Sequence, residues 1–195
     1  RYSPPFLVCL YSQLSSLLAQ TAPPNRLPSP RLPWLQRPKV ISTLGVEWVH
    51  GYRAQDVRGS VRYAAGGVVV YSVGAVGIVY DPKLHTQRHH LEHTDDIISL
   101  AVSPDGTKVA TGQVGTRPCV HVWDVGSCST VATLSGFHRR GVSCLAFSPD
   151  GTLLASVGQD DNHSLMVGRW ADGGTMGTGI CGRQEVLDVK FVPWS

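Results

Sequence analysis

The chain has 195 residues, 42% of them hydrophobic and 16% charged, with 21 Gly and 13 Pro, a balance that favours a turn-rich β fold over a helical one. Its net charge of +3 is uneven: residues 1–45 carry five basic residues (Arg1, Arg26, Arg31, Arg37 and Lys39) and no acidic one, which leaves 12 basic against 14 acidic residues in the rest. A nucleic-acid-binding body is therefore not expected. No apolar run reaches the roughly 18 residues of a membrane span.

Taken in chain order, residues 1–44 hold eight of the prolines and read as a disordered, Pro-rich tail, because Pro removes a backbone donor and fixes φ. A turn or two of helix fits around Leu10–Gln20, with no heptads for a coiled coil. Phe6–Leu18 makes a weak secretory h-region, since Ser and Gln interrupt it; the missing initiator Met marks the chain as a fragment. Order is expected from Val46. Val46-Glu-Trp-Val49, Gly67–Val73 and Gly77–Tyr80 are β-branched and aromatic runs, read as strands, with Asp81-Pro82 closing the segment 45–82 as a turn.

The next stretch repeats itself. His93-Thr-Asp-Asp-Ile-Ile-Ser-Leu-Ala-Val-Ser-Pro-Asp-Gly106 returns 45 residues later as His138-Arg-Arg-Gly-Val-Ser-Cys-Leu-Ala-Phe-Ser-Pro-Asp-Gly151. A period near 40–45 residues, with His near the start and Trp-Asp near the end, is the signature of a β-propeller blade. Ile97–Val102 and Val142–Phe147 are the expected inner strands, Lys108–Gly112 and Leu153–Val157 the second, and Cys119–Trp123 and Ser164–Val167 the third. Val131–Leu134 is the expected outer strand of the first blade. The pattern divides the chain into a first blade at 83–135, a second at 136–172 and the start of a third at 173–195, opening with Val186–Pro193. His93, Trp123, Asp124, His138 and Asp160 are the expected structural residues of the blades. A full blade ties its strands with a His, Ser/Thr, Asp and Trp set. The first copy lacks the Asp, and the second has Gly168-Arg169 where Trp-Asp is expected.

Catalysis and metal binding leave little trace. The five cysteines form no Cys-x-x-Cys pair, which fits free thiols in a reducing compartment. His85, His89, His90 and His93, with Glu92 and Asp95, invite a zinc reading. They lack paired spacing; His93 already has a blade role and the others fall between two expected elements, so these are read as a solvated linker, with no metal and no cofactor. There is no Gly-x-Ser-x-Gly elbow, and Gly74-Ala-Val-Gly77 is too short and apolar to cradle phosphate, so neither an enzyme nor a small-molecule substrate is expected. Trp48 and Tyr71 fit a core. Tyr52 and Arg53, after Gly51, and Arg139 and Arg140, at a blade opening, are the candidate partner contacts.

Val46-Glu-Trp-Val-His-Gly-Tyr-Arg53 resembles the HELP motif of the echinoderm microtubule-associated protein-like family. Val68-Val-Val-Tyr71 and Val76-Gly-Ile-Val-Tyr80 resemble its apolar continuation, and His93–Leu100 with Ala110-Thr-Gly-Gln-Val-Gly115 its first blade. The resemblance covers about residues 46–170 and implies an all-β WD-type propeller fragment, a HELP segment plus about two and a half blades, from a long multi-propeller member. It implies binding to tubulin or microtubules in the cytoplasm and cytoskeleton, without nucleic acid or membrane. A generic WD scaffold and a truncated product without independent function are the alternatives.

Overall fold

A computed structural model describes residues 45–192. The expected disordered tail at 1–44, with its short helix, lies outside the described residues. No helix among the described residues is long and apolar enough to cross a membrane.

Twelve strands among the described residues fold as three successive four-stranded antiparallel meanders. The first is β1 (Val61–Tyr63), β2 (Val69–Val73), β3 (Val76–Asp81) and β4 (Thr86–His90). The second is β5 (Ile97–Val102), β6 (Lys108–Gly115), β7 (Cys119–Asp124) and β8 (Thr130–Ser135). The third is β9 (Arg140–Phe147), β10 (Leu153–Gly158), β11 (Ser164–Arg169) and β12 (Thr175–Ile180). This is an all-β propeller fragment, in which each sheet is one blade and the inner strands β5 and β9 lie side by side.

The blades reverse direction on matching turns. In Ser103-Pro-Asp-Gly106, the Lys108 amide donates to Ser103 Oγ at 2.9 Å, and the Thr107 amide and hydroxyl donate to the Asp105 carboxylate at 3.1 and 2.7 Å. Ser148-Pro-Asp-Gly151 repeats the set through Leu153 and Thr152, at 2.8, 3.1 and 2.7 Å. Gly106 and Gly151 hold φ of 72° and 74°, the left-handed region that favours glycine. A Cβ on Gly106 would also meet the Ala65 amide nitrogen at 2.6 Å, so the turn presses on the first blade.

The core lies between blades. Val68, Val70, Val79, Leu100, Val109, Trp123 and Val125 fill the first joint. Ala101, Ala110, Val120, Val122, Val142, Leu145 and Leu154 fill the second. Close approach fixes both joints. A Cβ on Gly77 would lie 3.0 Å from the Trp123 ring, and one on Gly112 2.8 Å from Val142 Cβ.

Four expectations are corrected. Val46–Val49 forms no strand; it runs extended along β4, where Gln87 accepts from the Val49 amide at 2.8 Å and donates to the Val49 carbonyl at 3.1 Å, so a side chain replaces the ladder. The supposed solvated linker holds strand β4, which pairs with β3 beyond the expected boundary at residue 82 and buries His90. Thr175–Ile180, placed with a third repeat, pairs with β11 and completes the second. Residues 186–192 form no strand, because no ladder partner lies beside them among the described residues. Instead, the Cys144 thiol donates to the Val186 carbonyl at 3.3 Å.

Candidate interaction surface

The inner strands of the second and third sheets begin at one rim, where short loops carry a group of paired charges. Arg53 reaches this rim from the segment ahead of β1. Its guanidinium donates to Asp56 through Nε and Nη2, at 2.7 and 2.6 Å, and to Asp96 through Nη1 at 2.6 Å. The hydrogen bond from Arg53 holds the Asp56 carboxyl below its ordinary range, and the same contacts raise the guanidinium pKa. The Asp96 carbonyl accepts from the Val114 amide at 2.9 Å, and Val114 and Gly115 pair with Gly141 and Arg140. Arg140 then donates two bonds to Asp161, at 2.6 and 3.2 Å. A chain of contacts thus carries the rim from Arg53 to Asp161.

The four expected partner contacts differ in what they can offer. Tyr52 is 47% exposed, its hydroxyl accepting from Ser60 Oγ at 2.9 Å. Arg53 is clamped between two carboxylates with its side chain only 20% exposed, so its charge is already answered. Arg140 is exposed, paired with Asp161, and held at a left-handed φ of 67°. Arg139 is exposed and belongs to none of the ion pairs among the described residues, which makes it the freest cation of the four. Asp56 and Asp96 pair with Arg53, and Asp161 pairs with Arg140, so the rim is mixed in charge rather than basic.

Behind the rim, polar networks tie each blade. In the second sheet, Thr94 amide donates to Gln113 Oε1 at 3.3 Å and Gln113 Nε2 donates to Thr94 Oγ1 at 3.1 Å, which orients the amide. His93 Nδ1 must then donate to Gln113 Oε1 at 2.7 Å, leaving Nε2 to accept from the Thr111 hydroxyl at 2.7 Å. Trp123 Nε1 donates to the same hydroxyl at 3.0 Å. Burial pushes the His93 imidazole down to about 3, so it is neutral. Asp124 lies outside this network, accepting from Lys108 Nζ at 2.9 Å and from the Ser127 amide at 2.9 Å; the Lys108 bond takes its carboxyl down to about 2.

The third sheet replaces the Trp by an Asp-centred set. His138 Nε2 bonds Ser156 Oγ at 2.7 Å, and Nδ1 lies 3.3 Å from Ser164 Oγ, whose hydroxyl donates to Asp160. Asp160 also accepts from the Ser164 and Asn162 amides. Gly168 occupies the register position of Trp123, opposite Leu154 as Trp123 is opposite Val109. Trp170 docks elsewhere, donating to the Gly151 carbonyl at 2.8 Å.

Trp48, Tyr71 and Tyr80, outside these networks, are half-buried. Trp48 lies 5.0 Å from the His85 ring and edge-on to Tyr80 at 6.1 Å, and Tyr71 accepts from Gln87 Nε2 at 2.9 Å. The expected core role of Trp48 is therefore a flank role. Sequence reasoning passed over Cys119 and His121, whose i, i+2 spacing on a strand puts both on one face beside Trp123.

Three meanders, inter-sheet cores and His-hydroxyl ties define a WD-type β-propeller fragment. Residues 86–195 match the echinoderm microtubule-associated protein first beta-propeller, and residues 42–78 match the HELP motif. The chain belongs to the echinoderm microtubule-associated protein-like family. It is 40% identical over 163 residues to echinoderm microtubule-associated protein-like 2 of Rattus norvegicus, covering 78% of this chain and 25% of the relative. The Homo sapiens protein of that name is 38% identical over 161 residues, 77% of this chain and 25% of the relative. Echinoderm microtubule-associated protein-like 4 of Xenopus tropicalis is 36% identical over 161 residues, 77% of this chain and 17% of its own length. The chain thus spans a quarter or less of these relatives.

Proposed function

We propose that the chain is a non-catalytic tubulin- and microtubule-binding module that helps organise the microtubule cytoskeleton, acting in the cytoplasm. The observation that carries this reading is the order of its matches, a HELP motif followed directly by the first propeller of a microtubule-associated family. Docking runs through the loop rim, with Tyr52 and Arg139 as the exposed contacts and Arg53 and Arg140 as their paired supports. The basic segment 1–45 adds a salt-sensitive attraction to an acidic partner such as tubulin.

Co-sedimentation with polymerised microtubules, alongside pull-down with tubulin dimers, tests the reading. Saturable binding is expected, weakened about two- to fivefold by Arg139→Ala, as for a charge at the rim of an interface. A folded chain that neither pellets with microtubules nor retains tubulin would sink it, and would favour a generic WD scaffold for another partner. The exposed edge strand β1, with Tyr63 77% exposed, supports a second reading, a truncated product without independent function. Insoluble expression of residues 45–195 is the outcome that selects it.

A further inference from the structure

The first joint between sheets gathers His93, which already serves the propeller tie through Thr111 and Gln113, with His90, His121 and the Cys119 thiol, which that tie does not use. His93, Cys119 and His121 each present a ligand atom, and these atoms lie within 4.8 Å of one another. Cys119 Sγ and His121 Nε2 are 3.4 Å apart. Two ligands on a tetrahedral zinc ion, with Zn–S near 2.3 Å and Zn–N near 2.0–2.1 Å, sit about 3.5 Å apart. His90 stands beside this trio, outside its 4.8 Å spacing. It is fully buried, its ring lies 5.6 Å from that of His93 and 5.7 Å from that of His121, and its Nδ1 has no hydrogen-bond partner.

The outer contacts suit such a site. A metal-bound imidazole ordinarily gives its other N–H to a fixed oxygen, which sets tautomer and ring angle. His93 does this to Gln113 Oε1 through Nδ1, His121 faces Thr133 Oγ1 through Nδ1 at 3.0 Å, and His90 faces Thr130 Oγ1 through Nε2 at 2.8 Å. The lone pairs left over are His121 Nε2, which faces the thiol, His90 Nδ1, which faces no partner, and His93 Nε2, which accepts from Thr111. Occupying His93 Nε2 costs one hydrogen bond, and the Thr111 oxygen keeps its bond from Trp123. Cys119 is half-buried and opens the group to solvent.

We propose that His93, Cys119 and His121, with His90 as fourth ligand, form a zinc site that clamps the HELP-bearing sheet to the blade after it. Ligands come from both sides of the joint: His90 ends β4, and Cys119 and His121 lie on β7. Binding a hydrated zinc ion would form one Zn–S and three Zn–N bonds, displace water from the ion and release the thiol proton, with no change of oxidation state.

Cobalt(II) substitution in the full chain reads out the site directly. One equivalent of Co²⁺ is expected to give a thiolate-to-metal charge-transfer band with tetrahedral d–d absorption, and Zn²⁺ is expected to erase it. Cys119→Ser removes the band, and the fold should tolerate it, because Ser164 holds the same register position in the next sheet. His121→Gln should weaken Co²⁺ binding at least tenfold. In the unsubstituted chain, Zn²⁺ should slow alkylation of Cys119 by iodoacetamide while leaving that of Cys128 unchanged, a readout that needs no variant to fold. The proposal is overturned if no thiolate band forms, if Cys119→Ser keeps it, or if Zn²⁺ protects Cys119 no more than Cys128.

Discussion

At the residue scale, Trp123 concentrates several roles in one side chain. It is fully buried, stacks on His90 at 4.9 Å with rings 10° from parallel, covers Gly77, and donates to Thr111. Trp123→Ala should cost about 3–5 kcal/mol, the usual penalty for truncating a buried aromatic ring, and urea unfolding should show it as a lower midpoint. Gly112→Ala tests the opposite fault. Its Cβ would run into the Ser99 hydroxyl and lie 2.8 Å from Val142, so overpacking should cost about 1–3 kcal/mol although Ala is the better strand residue. A thermal midpoint equal to the parent's would show that the second joint has slack. His138 sets a pH dependence. Burial pushes its imidazole from 6.5 down to about 4, with the Asp160 charge opposing. Its unfolded form binds a proton more readily, so its stabilisation is fully present above pH 6.5 and is lost as pH falls through 6.5 toward 4. The loss should reach on the order of 3 kcal/mol, read as urea midpoints that fall across pH 7, 5.5 and 4.

At the element scale, what the sequence makes visible depends on whether a strand repeats and on which side it is buried. β5 and β9 read clearly because they are apolar and flanked by matching Ser-Pro-Asp-Gly turns 45 residues apart. β4 does not. Thr86-Gln-Arg-His-His90 alternates exposed and half-buried positions in polar residues, and pairing with the apolar β3 makes it a strand. β12 is harder still, since Thr175-Met-Gly-Thr-Gly-Ile180 is exposed throughout and carries two glycines. Outer strands therefore inherit their structure from a neighbour. Candidate-site residues follow the same logic. The arginines stand out as charges on turns, but only the folded rim shows that Asp56 and Asp96 already hold Arg53, while Arg139 is free of ion pairs among the described residues. Cys119 and His121 share one face of a strand legible in the sequence, but only the fold shows His90 beside them across the joint.

At the scale of the molecule, the repeated unit in sequence is offset from the structural one. The repeat runs from His93 to the next His138, yet the hydrophobic cores fall between sheets, so no sheet holds a complete core of its own. This is the architecture of repeat folds in which each unit is stabilised by the next. It ties the fate of the HELP-bearing sheet to Trp123 and the sheet after it. Trp123→Ala should therefore raise hydrogen exchange in β3 and β4 as well as in β7, while leaving β11 and β12 near their parent rates. Equal protection loss in all three sheets would mean that the fragment unfolds as one unit.

Ser99 donates its hydroxyl to the Val142 carbonyl at 2.6 Å across 43 residues of chain, and Gly77 meets Trp123 over a similar separation. No joint has to wait for a distant part of the polypeptide. For a chain released from its N-terminal end during synthesis, that spacing amounts to an assembly schedule: each sheet is finished before its successor emerges, and the successor condenses on a surface already formed.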